Sequence, residues 1–247
     1  DHHTPSFTDW FCNWSSSEVA ERIYVGQLVL MKGYRSNINF SQRRRAWLFM
    51  KTAGKHARRL EKADGKLFRF GETEIEFSQP VFHGVEDSKL GWVLMTMIRC
   101  EDEHVMFASD VQGPMEDSAL QIILDENPSL LIVGGPPVYL MNFKVSEGDV
   151  QHGLRNLEKI AGRVETTILE HHLLRDREWR KYCRGVFDAA SKAGHRVVTA
   201  AEFLGEKNRL LECRRKELFK AEPPSREFKK WIKLSRLEKM RTKPPLG

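Results

Sequence analysis

The order of its apolar runs constrains this chain most. Pairs of short, β-rich runs come first, and later runs stand singly between amphipathic helical stretches. In residues 72–77 three glutamates alternate with Thr73, Ile75 and Phe77, the period-two pattern of a half-buried strand. Residues 66–70 pair with it across Gly71, and Asp64-Gly65 supplies the turn before them. Residues 91–98 and 105–108, parted by Glu101-Asp102-Glu103, read as a hairpin of buried strands. Residues 130–133 and 164–169 are further short strands, and 27–31 is another. Helical spacing fills the gaps. Residues 116–125 form a short helix, and Ser146 caps a longer one whose Val150, Leu154, Leu157 and Ile160 recur on one face. Residues 176–193 carry the stripe Trp179, Cys183, Val186, Phe187 and Ala190, stopped by Gly194. Thr199 caps a long helix through Phe203, Leu210, Leu211 and Leu218, which Pro223-Pro224 ends. Basic helices are expected at 42–59 and 226–239. Hairpins followed by strand–helix alternation predict a layered α/β fold. Functional groups in such folds gather where strands run out into loops.

Acids and histidines stand at those places. Phe107-Ala108-Ser109-Asp110, Ile168-Leu169-Glu170-His171-His172 and Pro80-Val81-Phe82-His83-Gly84 each close a strand, and Asp1-His2-His3 opens the chain. Taken singly, each has a bland reading: Asp110 as a helix cap, His83 as a structural residue, the His171/His172 pair as one core and one surface residue. Neighbouring side chains on a strand point to opposite faces, so only one of the pair is expected to face a site. Together these segments offer nitrogen and oxygen ligands from four separated places. His and Asp ligands without Cys favour zinc, and are compatible with manganese or iron. Asp110 is the candidate bridge between two cations, because one carboxylate supplies two oxygens and offsets their repulsion. The chain starts inside this set with no initiator Met, and on that ground is expected to be a fragment of a longer protein.

The four cysteines form no Cys-x-x-Cys pair, which argues against a thiolate zinc site or a secreted disulfide framework and places the protein in a reducing cytoplasm. No apolar run approaches ~18 residues, so no membrane span is expected. The net charge of +6 is uneven: residues 205–247 hold 14 Lys and Arg against 6 Asp and Glu. The predicted division is therefore a core over 1–204 and a basic helical extension over 205–247.

Several phrases carry a resemblance. They are Phe82-His83-Gly84 with Lys89-Leu90-Gly91, the run from Phe107 through Ser109-Asp110-Val111-Gln112-Gly113-Pro114, Gly134-Gly135-Pro136-Pro137, and His171-His172-Leu173-Leu174-Arg175-Asp176. Over nearly the whole chain the sequence resembles the metallo-β-lactamase superfamily, and within it the uncharacterised archaeal-type hydrolases. The resemblance implies an αββα sandwich, here lacking its first strands, with two divalent metal ions at one edge. Asp1-His2 match the last two positions of the superfamily's H-x-H-x-D-H motif, and its first two histidines are not in this sequence. On the same basis His83 ligates the first metal, while Asp1, His2, bridging Asp110 and one of His171 and His172 hold the second. His3 and the other imidazole of the pair orient ligands or touch substrate.

Three functions follow as expectations. The first is a metal-dependent hydrolase of an ester or phosphodiester-type bond, with a metal-bridging hydroxide as nucleophile and His171 or His172 protonating the leaving group. The second is a nucleic-acid processing nuclease of the same superfamily, whose tail lysines and arginines, among them Lys229, Lys230, Lys233, Arg236, Lys239 and Arg241, contact phosphates while Trp231 stacks on a base. The third is a non-enzymatic α/β domain that binds nucleic acid or protein through its basic helices. Arg175-Asp176 reads as the cap of the following helix, with a substrate phosphate as the other reading. The loop after residue 133 shapes a pocket with Tyr139 or forms a rigid turn.

Overall fold

The computed structural model describes residues 16–245. Its first elements are helix α1 (Ser16–Tyr24), strand β1 (Leu28–Met31), helix α2 (Phe40–Lys51) and strand β2 (Arg59–Lys62). Strands β3 (Leu67–Phe70), β4 (Thr73–Phe77), β5 (Val81–Phe82), β6 (Trp92–Val93), β7 (Thr96–Cys100) and β8 (Glu103–Ala108) follow. Then come α3 (Asp117–Glu126), β9 (Leu130–Gly134), α4 (Glu147–Ala161), β10 (Thr166–Glu170), α5 (Trp179–Tyr182), α6 (Arg184–Ala193), β11 (Arg196–Thr199) and α7 (Ala200–Phe203). Helices α8 (Arg215–Ala221), α9 (Arg226–Ile232) and α10 (Arg236–Arg241) complete the order. Two compact units result. Of the described residues, one gathers 16–30, 45–61 and 214–245, the other 31–44 and 62–213.

The second unit is built on a seven-stranded sheet in the order β11-β10-β9-β8-β7-β4-β3. Strands β8 to β11 run parallel, while β8, β7, β4 and β3 form an antiparallel meander. Tight turns join β3 to β4 and β7 to β8, and the link from β4 to β7 carries the separate β5–β6 pair; parallel neighbours need long crossovers, which the segments holding α3, α4 and α6 supply. A central mixed sheet with helices is the α/β class that the order of runs predicts.

Both sheet faces carry apolar rows. Met97, Met106 and Leu131 stand in one register row, and Ala108, Val133 and Leu169 in another; all six are buried. They share a core with Leu120 and Ile123 of α3, Leu154, Leu157 and Ile160 of α4, and Val186 and Ala190 of α6. By alternation the opposite face carries Ile75, Ile98, Val105 and Leu130 in one row and Phe107, Ile132 and Ile168 in the next. Ile98 and Phe107 remain 38% and 43% exposed there.

Helix α4 forms as its spacing predicts. Ser146 Oγ accepts the Asp149 amide at 3.1 Å, and the four periodic apolar residues are buried. Elsewhere local hydrogen bonding divides what periodicity joins. The stripe over 176–193 splits into α5 and α6 at Cys183, whose backbone (φ −90°, ψ 13°) leaves the helical region. Thr199 does cap a helix, in a capping box with Glu202, but α7 ends after one turn at Phe203. Strand β11 was hidden because Val197-Val198 is too short a run to show a period. The basic helix over 42–59 stops at Lys51, and β2 takes up its end.

In the first unit Tyr24 and Phe49 meet edge to face, with centroids 5.4 Å apart. Ser235 opens a second capping box, with Glu238, and so parts α9 from α10 within one expected helix. Trp231 is 3% exposed, lies against Phe228, and donates its indole N–H to the Thr242 carbonyl at 2.9 Å. Its ring is packed and not free to stack on a base, which corrects the expectation for Trp231. No helix among the described residues is long and apolar enough to cross a membrane.

Burial pushes the Cys183 thiol up to about 12, and the side chain is 0% exposed. Thiolate is the reactive form. A thiol reagent at pH 8 is therefore expected to label Cys100 and Cys213 in the native protein and Cys183 only on unfolding. Peptide mapping after a timed quench checks this, and native labelling of Cys183 at the rate of Cys213 would contradict it.

Candidate metal centre

Sheet register creates the site. Ala108, Val133 and Leu169 are aligned across β8, β9 and β10, and Gly134 pairs with Glu170 one residue later. The segments that follow all leave from one carboxyl edge of the parallel strands, where a parallel sheet gathers functional groups.

The first of these segments turns sharply. Asp110 and Gln112 take left-handed backbone angles (φ 59° and 58°), which few residues adopt but Asp tolerates. The Gly113 amide then donates to the Gly134 carbonyl at 2.7 Å, tying the turn to the end of β9. A Cβ at Gly134 would stand 3.1 Å from the Asp110 amide nitrogen and 3.6 Å from the His172 ring, so glycine lets the segments approach at backbone distance. On the His83 side, the backbone amide donates to Gly91 O at 2.8 Å and the carbonyl accepts from Ser88 Oγ at 2.9 Å. These bonds fix the turn from which the imidazole projects.

Three imidazoles converge on a single carboxylate oxygen. Asp110 Oδ1 lies 3.0 Å from His172 Nε2, 3.3 Å from His171 Nε2 and 3.7 Å from His83 Nε2. Ligand atoms of His83, Asp110 and His172 all fall within 4.8 Å of one another. The expectation that only one of the adjacent histidines faces the site is corrected. Strand β10 ends at Glu170, and His172 has helical angles (φ −62°, ψ −50°), so strand alternation no longer applies. The two rings instead lie with centroids 4.0 Å apart, both against Asp110.

The hydrogen bond with His172 holds the Asp110 carboxyl below the usual carboxylate range, and the fields of His83, His172 and His171 add to it against the opposing cost of burial. A donor set of this kind suits a divalent cation. Bonds of about 2.0–2.1 Å in tetrahedral directions place ligand atoms roughly 3.3–3.5 Å apart, inside the spread seen around Asp110 Oδ1. Among the described residues, the buried His172 Nδ1 has no hydrogen-bond partner and no cysteine joins the cluster.

Residue order alone assigns no separate role to Glu170 or to its partner Ser109. Glu170 Oε1 accepts a hydrogen bond from Ser109 Oγ and lies 3.3 Å from His171 Nδ1. A carboxylate on the far nitrogen of an imidazole fixes its tautomer and turns Nε2 toward the ligand side. The signal was an acid directly before a histidine pair at a strand end. Asp176 Oδ1 accepts the Glu178 amide at 2.7 Å, so the turn before α5 is closed by Asp176 without Arg175. Asp1, His2 and His3 lie outside the described residues.

The fold and the cluster define a class: a mixed α/β protein with a candidate His–Asp–His metal site on the carboxyl edge of its sheet. The chain belongs to the UPF0282 family of archaeal proteins. It is 43% identical over 218 residues to the UPF0282 protein of Methanopyrus kandleri, across 88% of this chain and 73% of that relative. To the Korarchaeum cryptofilum protein it is 39% identical over 232 residues, covering 94% and 73%. To that of Thermococcus gammatolerans it is 44% identical over 223 residues, covering 90% and 71%. No family model matches the chain. Among solved structures it is similar to a metal-dependent hydrolase of the β-lactamase superfamily, with a TM-score of 0.37 and 11% identity over 72% of this chain and 70% of that one. At that score the likeness carries no weight for topology or reaction.

Proposed function

We propose that this chain is a metal-dependent hydrolase of an ester or phosphodiester-type bond, with His83, Asp110 and His172 as ligands of a divalent cation. The convergence of three imidazole nitrogens on Asp110 Oδ1 carries the reading. Zinc fits this donor set best, with manganese or iron as alternatives. A two-ion centre is the fuller form of the proposal, with Asp110 as bridge, His171 on the second ion, and Asp1 and His2 completing it. The finer fold, an αββα sandwich, belongs to the same proposal. The apolar second face of the sheet, with Ile98 and Phe107 part-exposed, is the surface a facing sheet covers.

A bound divalent cation supplies Lewis acidity: it acidifies water and offsets negative charge that develops on the substrate. The protein's part is positional. Asp110 holds negative charge at the centre of the imidazoles and, with its lowered pKa, stays ionised near neutral pH. Glu170 orients His171, and the Gly113–Gly134 bond sets the distance between the Asp110 turn and β9. The test is hydrolysis of generic phosphodiester and ester probes by the full chain loaded with Zn²⁺ or Mn²⁺. Turnover is expected from the wild type and a loss of at least about a hundredfold in Asp110→Ala. Equal rates for the two would overturn the proposal.

A further inference from the structure

A second feature lies beside the metal ligands on the same turn. His172 caps the short 3₁₀ turn Leu173–Arg175, and Arg175 is its last residue. Three residues complete a 3₁₀ turn with ≈ 2 Å rise each, so His172 and Arg175 project on one side, about 6 Å apart along the axis. The 3₁₀ turn Val138–Leu140, which follows β9, packs against it. Arg175 Nη1 donates to Tyr139 Oη at 2.7 Å, and the guanidinium carbon lies 5.6 Å from the Tyr139 ring centroid.

The guanidinium has five N–H donors in a rigid fork, and the Tyr139 bond uses one of them. Its Nε is buried without a hydrogen-bond partner among the described residues. A buried charged donor left unpaired is costly, and such groups call for an explanation. A helix-capping role is not one, since Asp176 closes the following turn. Tyr139 holds the fork from one side with its ring and phenol, which leaves the other donors to match the oxygens of an oxyanion bidentately.

We propose that Arg175, positioned by Tyr139, is a substrate-binding subsite for an oxyanion next to the metal ligands, and that this oxyanion is a phosphoryl group. The assignment rests on the hydrolase reading and narrows it from ester or phosphodiester bonds to phosphate esters. Arg175 touches substrate, and Tyr139 acts through Arg175 as a positioning residue.

Titration of inorganic phosphate into the zinc-loaded full chain by calorimetry tests this, with zinc content measured on the same samples and acetate as a parallel arm. Arg175→Ala is expected to weaken phosphate about ten- to a hundredfold with zinc content unchanged, the loss of a charge-assisted hydrogen-bonding partner. Arg175→Lys keeps the charge without the fork and is expected to fall between. Tyr139→Phe keeps the guanidinium and is expected to weaken phosphate less than Arg175→Ala. Acetate, with less charge and fewer oxygens, is expected to lose less affinity than phosphate in Arg175→Ala. Phosphate affinity unchanged in the Arg175 variants, with zinc retained, would overturn the subsite. Dependence of acetate alone on Arg175 would overturn the phosphoryl assignment. A wild type that holds no zinc defeats the hydrolase reading instead, and the same phosphate titration run on the metal-free chain still reports whether phosphate binding depends on Arg175.

Discussion

Asp110→Ala is expected to lower zinc affinity by more than about a hundredfold, the upper end of what losing a mere outer partner of a ligand costs. The reason is geometric. All three imidazoles meet Asp110 Oδ1, at 3.0, 3.3 and 3.7 Å, so removing it takes away both a ligand and the charge that gathers the others. The fold is expected to survive, because the Asp110 side chain is 39% exposed and belongs to no apolar cluster. Competition with a chromophoric chelator, alongside circular dichroism, checks both halves. Wild-type affinity in a folded variant would show that the imidazoles bind metal without this carboxylate, or that metal binds elsewhere.

Gly113→Ala is expected to destabilise the fold by about 2–5 kcal/mol, combining backbone strain with overpacking. Gly113 has φ 135°, and a Cβ there would stand 2.9 Å from Gly153 Cα and 3.1 Å from its carbonyl oxygen on α4. Backbone cannot swing aside as a flexible side chain does, so the turn itself must move, and with it the amide that bonds Gly134 O. Gly71→Ala separates the two contributions. Its φ is 62° with nothing within 4 Å of the added carbon, so it meets only the left-handed penalty of about 1–2 kcal/mol. Urea unfolding monitored by fluorescence measures both. A Gly113→Ala midpoint equal to that of Gly71→Ala would mean that α4 yields to the turn. Zinc affinity of Gly113→Ala is expected to fall as well, because the turn carries Asp110.

Much of this arrangement was legible in the residue order. The alternation of Thr73, Ile75 and Phe77 with glutamates marked β4, and helical spacing with a Ser cap marked α4, because each repeats a local rule several times. Single local events were harder. Cys183 and Ser235 each interrupt a helix inside an unbroken apolar stripe, and stripe periodicity cannot register one residue leaving helical angles. The Ser235-to-Glu238 spacing was a readable capping signal, outweighed by the stripe around it.

In the site, Asp110, His83 and the histidine pair stood out because each ends a strand in polar chemistry. What could not be read was orientation. That His171 and His172 turn the same way depends on β10 ending one residue before them, and strand ends are set by register with β9 and not by the local sequence. Glu170 escaped notice for the same reason: its contact with Ser109 spans 61 residues, a neighbour relation made only by parallel pairing. The partner for Arg175 likewise comes from a turn 36 residues away.

Crystals of the zinc-loaded full chain, measured on both sides of the zinc absorption edge, address the central claim most directly. An anomalous peak within about 2.0–2.2 Å of a His83 nitrogen, an Asp110 oxygen and a His172 nitrogen is the predicted result. Stoichiometric zinc whose peak stands away from Asp110, or none bound in zinc-saturated crystals, would contradict it.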